Sequence, residues 1–247
     1  MAIAGSFVDG TPDEYSDLDL RVVVRDGALE RVFARRAEVA SNSGPLIAAF
    51  TGEHVGEPQL LITLYEDLVH VDFLFVALAE AAERNLGRQV QVLWERTPEV
   101  SAALSHPYVA DPIADLNYVE ARIWTWTWYI QSKILRGELW EAVSALNFVR
   151  DVALFRLLAL EHGVRFRGAR HVQELLGEHA ATFAQTQAVV EQSALLKALR
   201  ATVRLYLELA DPMLARHGVP PNTDARKIVM RALDRGLSWR SDGTERG

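Results

Sequence analysis

The chain has 247 residues, of which 49 % are apolar and 24 % are charged, and it contains no cysteine. This composition excludes a disordered or low-complexity chain, and the lack of cysteine excludes disulfides, thiolate catalysis and cysteine-ligated zinc. The formal net charge is −7, and residues 1–106 carry eight Arg and no Lys against seventeen Asp or Glu; such an acidic half disfavours a nucleic-acid partner, which would require a basic surface.

Membrane association is disfavoured as well. No apolar run approaches the roughly 18 residues of a membrane span, and Met1 is followed by neither a basic segment nor a long apolar one. The sequence therefore predicts a cytoplasmic protein without a membrane partner.

The first half predicts an α/β domain. The β-branched run "LDLRVVV" (18–24) predicts a strand, and residues 26–40 have the apolar spacing of a helix. Two further strand-like runs, "QLLITLYE" and "LVHVDFLFV", are separated by Asp67 alone, which predicts a tight hairpin. A fourth strand is predicted over "QVQVLW" (89–94). The hairpin makes two neighbouring strands antiparallel, and we expect a mixed sheet in this α/β domain.

The second half predicts an all-helical bundle. The segment "RTPEVSAALSHPYVADP" holds three prolines and predicts a connection between two domains, 1–108 and 109–247. Two long helical patterns follow and end at Gly137 and Gly163. Shorter helices are predicted over 171–187, 192–216 and 223–235, the last capped by Thr223 or Asp224. The predicted fold class is thus α+β.

The residues that suggest chemistry begin with Asp17 and Asp19, which share one face because strand side chains alternate. Two such carboxylates can hold hard cations. Asp72 is the natural third acid, since a lone carboxylate in an apolar strand is costly unless it is paired or metal-bound. Gly5-Ser6 supplies a turn whose backbone N–H groups and hydroxyl can meet a phosphate.

The stretches "GSFVDGTPDEYSDLDL" and "VHVDFLFV" resemble the nucleotidyltransferase superfamily that includes DNA polymerase β. Its signature is Gly-Ser, about a dozen residues, Asp-x-Asp, and a later strand with a third Asp. In the helical half, "KILRGELWEA" and "VRFRGAR" are similar to the small-molecule branch that acts on aminoglycosides and lincosamides.

The resemblance implies that Asp17 and Asp19 bridge two Mg²⁺ ions, that Asp72 holds the catalytic ion, and that Gly5 and Ser6 hold the β- and γ-phosphates of an NTP. A nucleoside monophosphate would be transferred to a hydroxyl of a small molecule, with release of pyrophosphate. The resemblance to the small-molecule branch implies that this acceptor is an antibiotic. The remaining triphosphate charge needs cations, and the first half has few. Lys133 is the expected contact, with Arg150 next.

Several alternatives stay open. Within the superfamily, the acceptor could be a protein that receives AMP, as in toxin and antitoxin pairs; in a different class, the chain is a non-catalytic nucleotide-binding module. Glu80, Glu83 and Glu138 are candidate general bases by position only, and a homodimer is also open. Two histidines, His70 and His171, are interpreted as structural. The tryptophans of "WTWTWY" (124–129) are interpreted mainly as core, with one of them a candidate pocket wall.

The N-terminus departs from the family. Relatives place a helix and a full strand before Gly-Ser, whereas only Met1 to Ala4 precede Gly5 here. We therefore expect a first domain truncated at its N-terminus, with an uncovered apolar face beside a short first strand.

Overall fold

The computed structural model describes residues 1–85, 89–105 and 110–235. They form two compact units, one within Met1–Val109 and the other within Ala110–Gly247. The first contains a mixed six-stranded sheet, and the described part of the second is helical. The predicted α+β class is thereby confirmed. None of the described helices has the length and apolar character needed to cross a bilayer.

The first unit alternates short helices with strands. Its strands are β1 (Ala2–Ala4), β2 (Leu18–Val24), β3 (Leu46–Gly52), β4 (Glu57–Tyr65), β5 (His70–Ala77) and β6 (Val90–Val92). Its helices are α1 (Ser6–Asp9), α2 (Leu29–Ala34), α3 (Arg36–Ser43), α4 (Ala81–Asn85) and α5 (Glu99–Leu104).

The strand order in the sheet is β3-β4-β5-β2-β1-β6. Among the described strands of this sheet, β2 and β5 run parallel, and the remaining neighbours are antiparallel. The predicted hairpin between β4 and β5 is confirmed: the Tyr65 N–H donates to the Val69 carbonyl at 3.0 Å, and Leu68 takes the left-handed conformation (φ 64°) that closes the turn.

One face of the sheet is closed by α2 and α3. Alternate residues of β5, namely Val71, Phe73 and Phe75, are buried there, and the rings of Phe33 and Phe75 meet edge to face with centroids 5.5 Å apart. Because strand side chains alternate, residues such as Asp72 must project to the opposite face.

The opposite face has a smaller core formed by Ala2, Val76, Ala81 and Leu104. Both alanines at the ends of β1 are buried, at 0 % and 1 % exposure. This face of β1 is therefore covered, whereas Ile3, which projects to the other face, is half-buried. Leu104 belongs to α5, so residues 99–104 of the predicted connection form a helix of the first unit, while the division between the two units falls after Val109. Residues 106–109 of that segment lie outside the described residues.

The helical unit packs around a long central helix. Its helices are α6 (Pro112–Glu120), α7 (Ile123–Leu135), α8 (Leu139–Val149), α9 (Phe155–Glu161), α10 (Val172–Leu175), α11 (Ala180–Ala184), α12 (Gln192–His217) and α13 (Thr223–Arg235). A π-helical segment, Arg150–Leu154, joins α8 to α9. Twelve buried residues of α12 face the core, so α12 is the helix around which the unit is built.

A buried carboxylate, Glu120, stabilises this core. It accepts hydrogen bonds from the Trp124 indole Nε1–H at 3.1 Å, from the Asn222 N–H at 2.7 Å and from the Tyr206 hydroxyl. These three donors compensate for the lost hydration of a charge that is 6 % exposed. Trp124 is 3 % exposed, which agrees with its interpretation as a core residue.

Several boundaries differ from the predictions. The first long helical pattern is broken at residues 121–122 into α6 and α7. Asn222 caps α13, because its Oδ1 accepts the Ala225 N–H at 3.2 Å; the predicted cap at Thr223 or Asp224 is wrong since the helix already begins at Thr223. Gly137 and Gly163 follow their helices at φ 78° and 64°, as predicted. Strand β3 was not predicted: four of its seven residues are exposed, so it lacks the alternation that marks a half-buried strand.

Candidate functional site

Strand pairing places two of the predicted acids side by side. Asp19 of β2 pairs with Asp72 of the parallel strand β5, and on its other side Asp19 pairs with Ala4 of β1. Directly paired residues on neighbouring strands project to the same face, with Cβ atoms roughly 5 Å apart. Asp19 and Asp72 therefore lie together on the face that α2 and α3 leave open, and Gly5 follows Ala4 at its edge.

Asp17 joins this group through His70. The His70 Nδ1 lies 3.8 Å from the Asp17 Oδ2, and its Nε2 lies 3.3 Å from the Asp72 Oδ1. The imidazole thus stands between two of the three predicted carboxylates. Sequence reasoning interpreted His70 as structural and did not place it here. The signal was present, because the spacing of His70 and Asp72 puts both on one face of the strand.

Gly5 lies directly against Asp19. Its φ of 74° is in the left-handed region, which glycine adopts without a steric penalty. A Cβ at this position would lie 2.4 Å from the Asp19 Oδ2. Both facts explain why glycine occurs here: any side chain would strain the backbone and displace the carboxylate.

Ser6 begins the short helix α1 just after Gly5. Its Oγ is buried and has no hydrogen-bond partner among the described residues. A buried hydroxyl without a partner is costly, and native proteins keep few of them. The position of this group beside the carboxylates is suited to a ligand that supplies an acceptor oxygen.

A buried arginine shares the face of Asp19. Arg21 lies two residues further along β2 and is 6 % exposed. Asp72 and Asp17 have side-chain exposures of 19 % and 31 %. The group therefore combines partly desolvated carboxylates with one cationic side chain. Because these charges are partly removed from water, the attraction between unlike charges is stronger here than at the surface. Sequence reasoning did not single out Arg21, although the alternation in "LDLR" places it on this face.

The donor types suit a hard divalent cation. Carboxylate oxygens are the protein ligands that Mg²⁺ takes, usually together with substrate phosphates. Among residues 1–85, 89–105 and 110–235, however, no three carboxylate or imidazole groups converge closely enough to form a metal site by themselves. The chemistry of Asp17, Asp19 and Asp72 and the unpartnered Ser6 hydroxyl fit a magnesium-bound phosphate group, although the carboxylates do not form a closed cage.

The two predicted phosphate-binding cations lie in the helical unit. Lys133 on α7 donates from Nζ to the Glu138 Oε2 at 2.6 Å, and the Glu138 Oε1 lies 2.7 Å from the Arg136 Nε. The hydrogen bond from Lys133 lowers the pKa of Glu138, and the same bond raises the pKa of Lys133. One candidate base and one candidate phosphate ligand are therefore paired with each other.

Arg150 is buried at the start of the π-helical segment, with 7 % exposure. Its guanidinium donates to the Thr186 carbonyl at 2.7 Å and to the Asn147 side chain. Burial lowers its pKa. These contacts connect the π-helical segment between α8 and α9 to the residues after α11. Arg150 therefore has a structural role within the helical unit. The two other candidate bases, Glu80 and Glu83, are exposed near the end of β5.

No protein-family model and no curated protein matches the chain. Among solved structures, the chain is similar to an aminoglycoside 6-adenyltransferase from Bacillus subtilis, with 14 % sequence identity and a TM-score of 0.46. The alignment covers 90 % of this chain and 88 % of that one. A TM-score this low does not establish a common fold, so conclusions about activity must come from the residues themselves.

Proposed function

We propose that the chain is a magnesium-dependent nucleotidyltransferase that moves a nucleoside monophosphate from an NTP to a hydroxyl group. The supporting observation is the pairing of Asp19 with Asp72 on the open face of the sheet, with Gly5 packed against the Asp19 carboxylate. This arrangement brings the Gly-Ser turn and the acids of "SDLDL" and "VHVDF" together, although they are distant in sequence.

In the proposed site, Asp17, Asp19 and Asp72 would hold two Mg²⁺ ions. When bound, Mg²⁺ neutralises phosphate charge and lowers the pKa of a coordinated hydroxyl. The Ser6 hydroxyl would donate a hydrogen bond to a phosphate oxygen of the NTP, and Gly5, which carries no Cβ, would leave the Asp19 carboxylate its present position. Their task is to position the α-phosphate for in-line attack.

The proposed reaction forms one bond between the acceptor oxygen and the α-phosphorus and breaks the bond between the α- and β-phosphates. Pyrophosphate leaves, and the acceptor hydroxyl releases its proton to solvent water. Lys133 is proposed to neutralise charge on the triphosphate, which would require exchanging its bond to Glu138 for one to a phosphate. Arg150 has no such role in the proposal, since its guanidinium is engaged inside the helical unit.

The proposed acceptor is a small molecule, with antibiotics that carry hydroxyl groups as the first class to test. The acidic balance of residues 1–106 favours a cationic acceptor. The experiment measures Mg²⁺-dependent pyrophosphate release with each NTP and a panel of aminoglycosides and lincosamides, followed by mass spectrometry of the acceptors. An acceptor heavier by one nucleoside monophosphate supports the proposal. Labelling of proteins alone would indicate AMP transfer to a protein, and nucleotide binding without turnover would indicate a non-catalytic module.

A further inference from the structure

A cavity of about 470 Å³ opens between α7 and α13 within the helical unit. Its volume lies within the roughly 300–1,000 Å³ of small-molecule pockets. We call it the α7–α13 pocket. Its lining includes Trp124 and Trp128 on α7 and Ala225, Ile228, Arg231 and Arg235 on α13. None of them belongs to the proposed transfer site, so the pocket is a separate candidate for binding.

Two tryptophans one helical turn apart form the wall on α7. The orientation of Trp124 is fixed, because its Nε1–H is bonded to Glu120 and its ring meets Tyr206 edge to face at 5.6 Å. Trp128 is 38 % exposed. An indole held in place beside an accessible one is a preorganised surface for a flat ring, since aromatic rings prefer offset or edge contacts with each other.

The facing helix combines apolar and cationic side chains. Ile228 is 65 % exposed, although it lies on the same face of α13 as Ala225 and Ala232. Among the described lining residues, Arg231 and Arg235 are the charged ones, and both are cationic, in a chain whose net charge is −7. In the part of the chain that the structure describes, Arg231 makes no hydrogen bond or ion pair.

We propose that the α7–α13 pocket binds a small aromatic anion, a flat ring system that carries a carboxylate or a phosphate. The ring would lie against Trp124 and Trp128 and cover Ile228, while the anionic group would accept hydrogen bonds from the Arg231 guanidinium. The charge of the lining argues against a cationic ligand, and its paired indoles favour a ring over an aliphatic chain. Arginine suits this role because its planar fork matches carboxylate and phosphate geometry.

The test uses 2-naphthoate as the probe and calorimetric titration of the full chain. Its neutral analogue 2-naphthylmethanol and the non-aromatic anion cyclohexanecarboxylate are the matched ligands. We expect naphthoate to bind at least about tenfold more tightly than either, because each lacks one of the two interactions. Arg231→Gln and Trp128→Leu should each weaken naphthoate binding by a similar factor. Arg231→Lys should lose less than Arg231→Gln.

The control is Arg204→Gln, which removes an exposed arginine of α12 outside the pocket and should bind naphthoate like the parent. Thermal melts of all variants identify any that fail to fold. The proposal is overturned if naphthoate does not bind, if the neutral analogue binds as tightly, or if Arg231→Gln and Arg231→Lys both bind like the parent. If naphthoate does not bind and Arg231→Gln changes the sedimentation coefficient, the pocket is an interface between copies of the chain instead.

Discussion

Gly5 and Asp19 are in direct packing contact: a Cβ added to Gly5 would lie 2.4 Å from the Asp19 Oδ2. The residue that follows the short first strand therefore limits where a carboxylate of the second strand can lie. This contact links the Gly-Ser turn to the acidic pair. A substitution at Gly5 should therefore move the Asp19 carboxylate although it removes no charge from the site.

Gly5→Ala should therefore lower nucleotidyl transfer by at least about tenfold, because it displaces the Asp19 carboxylate as well as straining the backbone by roughly 1–2 kcal/mol. The matched control is Gly27→Ala. Gly27 has the same φ of 74°, and a Cβ there would meet nothing within 4 Å. The contact is supported if Gly5→Ala and Gly27→Ala have comparable melting temperatures and Gly5→Ala has the lower activity. Equal activity in the two variants would contradict it.

Ser6→Ala should separate stability from binding. Removing a buried hydroxyl without a partner should leave the free energy of unfolding unchanged or raise it by up to about 1 kcal/mol. The same change should weaken NTP binding about three- to tenfold, because the hydrogen bond that the proposal assigns to Ser6 and a phosphate oxygen would be lost. Ser43→Ala is the control, since the Ser43 hydroxyl already donates to the Val39 carbonyl. Thermal melts with and without Mg²⁺ and NTP measure both effects; an unchanged nucleotide affinity would remove Ser6 from the site.

The sequence predicted β2 and the β4–β5 hairpin because their apolar runs are continuous and end at clear turn signals. It also singled out Asp17 and Asp19 as a pair on one strand face and Asp72 as a lone acid in an apolar strand; their role in a site stays a prediction. It did not predict β3, in which exposed and buried residues do not alternate along the strand. It also missed Arg21 and the place of His70, because their surroundings depend on which strands pair, and pairing is a long-range property.

The ion pair of Lys133 with Glu138 could have been inferred from the glycine between them. Gly137 ends the helix and turns the chain back, which brings position 138 to the last turn of α7. Arg150 is different: its partner is the backbone carbonyl of Thr186, and no pattern in the sequence indicates which carbonyl a buried arginine will reach.

Lys133→Ala should raise the KM for the NTP about three- to tenfold with a smaller change in kcat, because under the proposed function it removes a charge that would interact with the triphosphate in ground state and transition state alike. Glu138→Gln should lower the KM, since it releases Lys133 from its ion pair. Lys197→Ala, on another helix, is the control for charge. If Lys133→Ala and Glu138→Gln both have the parental KM for the NTP, residues other than Lys133 bind the triphosphate.

The same ion pair predicts a pH dependence of stability. The pKa of Glu138 is lowered in the folded chain from its ordinary value of 4.5, so its contribution is present above that value and is lost as the pH falls through the lowered pKa. The pKa of Lys133 is raised, so its contribution persists through neutral pH. The difference in melting temperature between the parent and Glu138→Gln should be constant near pH 7 and should disappear in acid. A difference that does not vary down to about pH 3 would contradict this account.

The central claim is that the paired carboxylates Asp19 and Asp72 support nucleotidyl transfer. The most direct measurement compares Mg²⁺-dependent pyrophosphate release by the parent, Asp19→Asn and Asp72→Asn at saturating NTP, with Glu66→Gln as an exposed acidic control in the same unit. Each Asn variant keeps the shape of the side chain and removes one charge. We predict a loss of at least about 100-fold in turnover for both Asn variants, a metal-free melting temperature that is unchanged or slightly raised, and parental turnover for Glu66→Gln. Near-parental turnover by either Asn variant under these conditions would contradict the account.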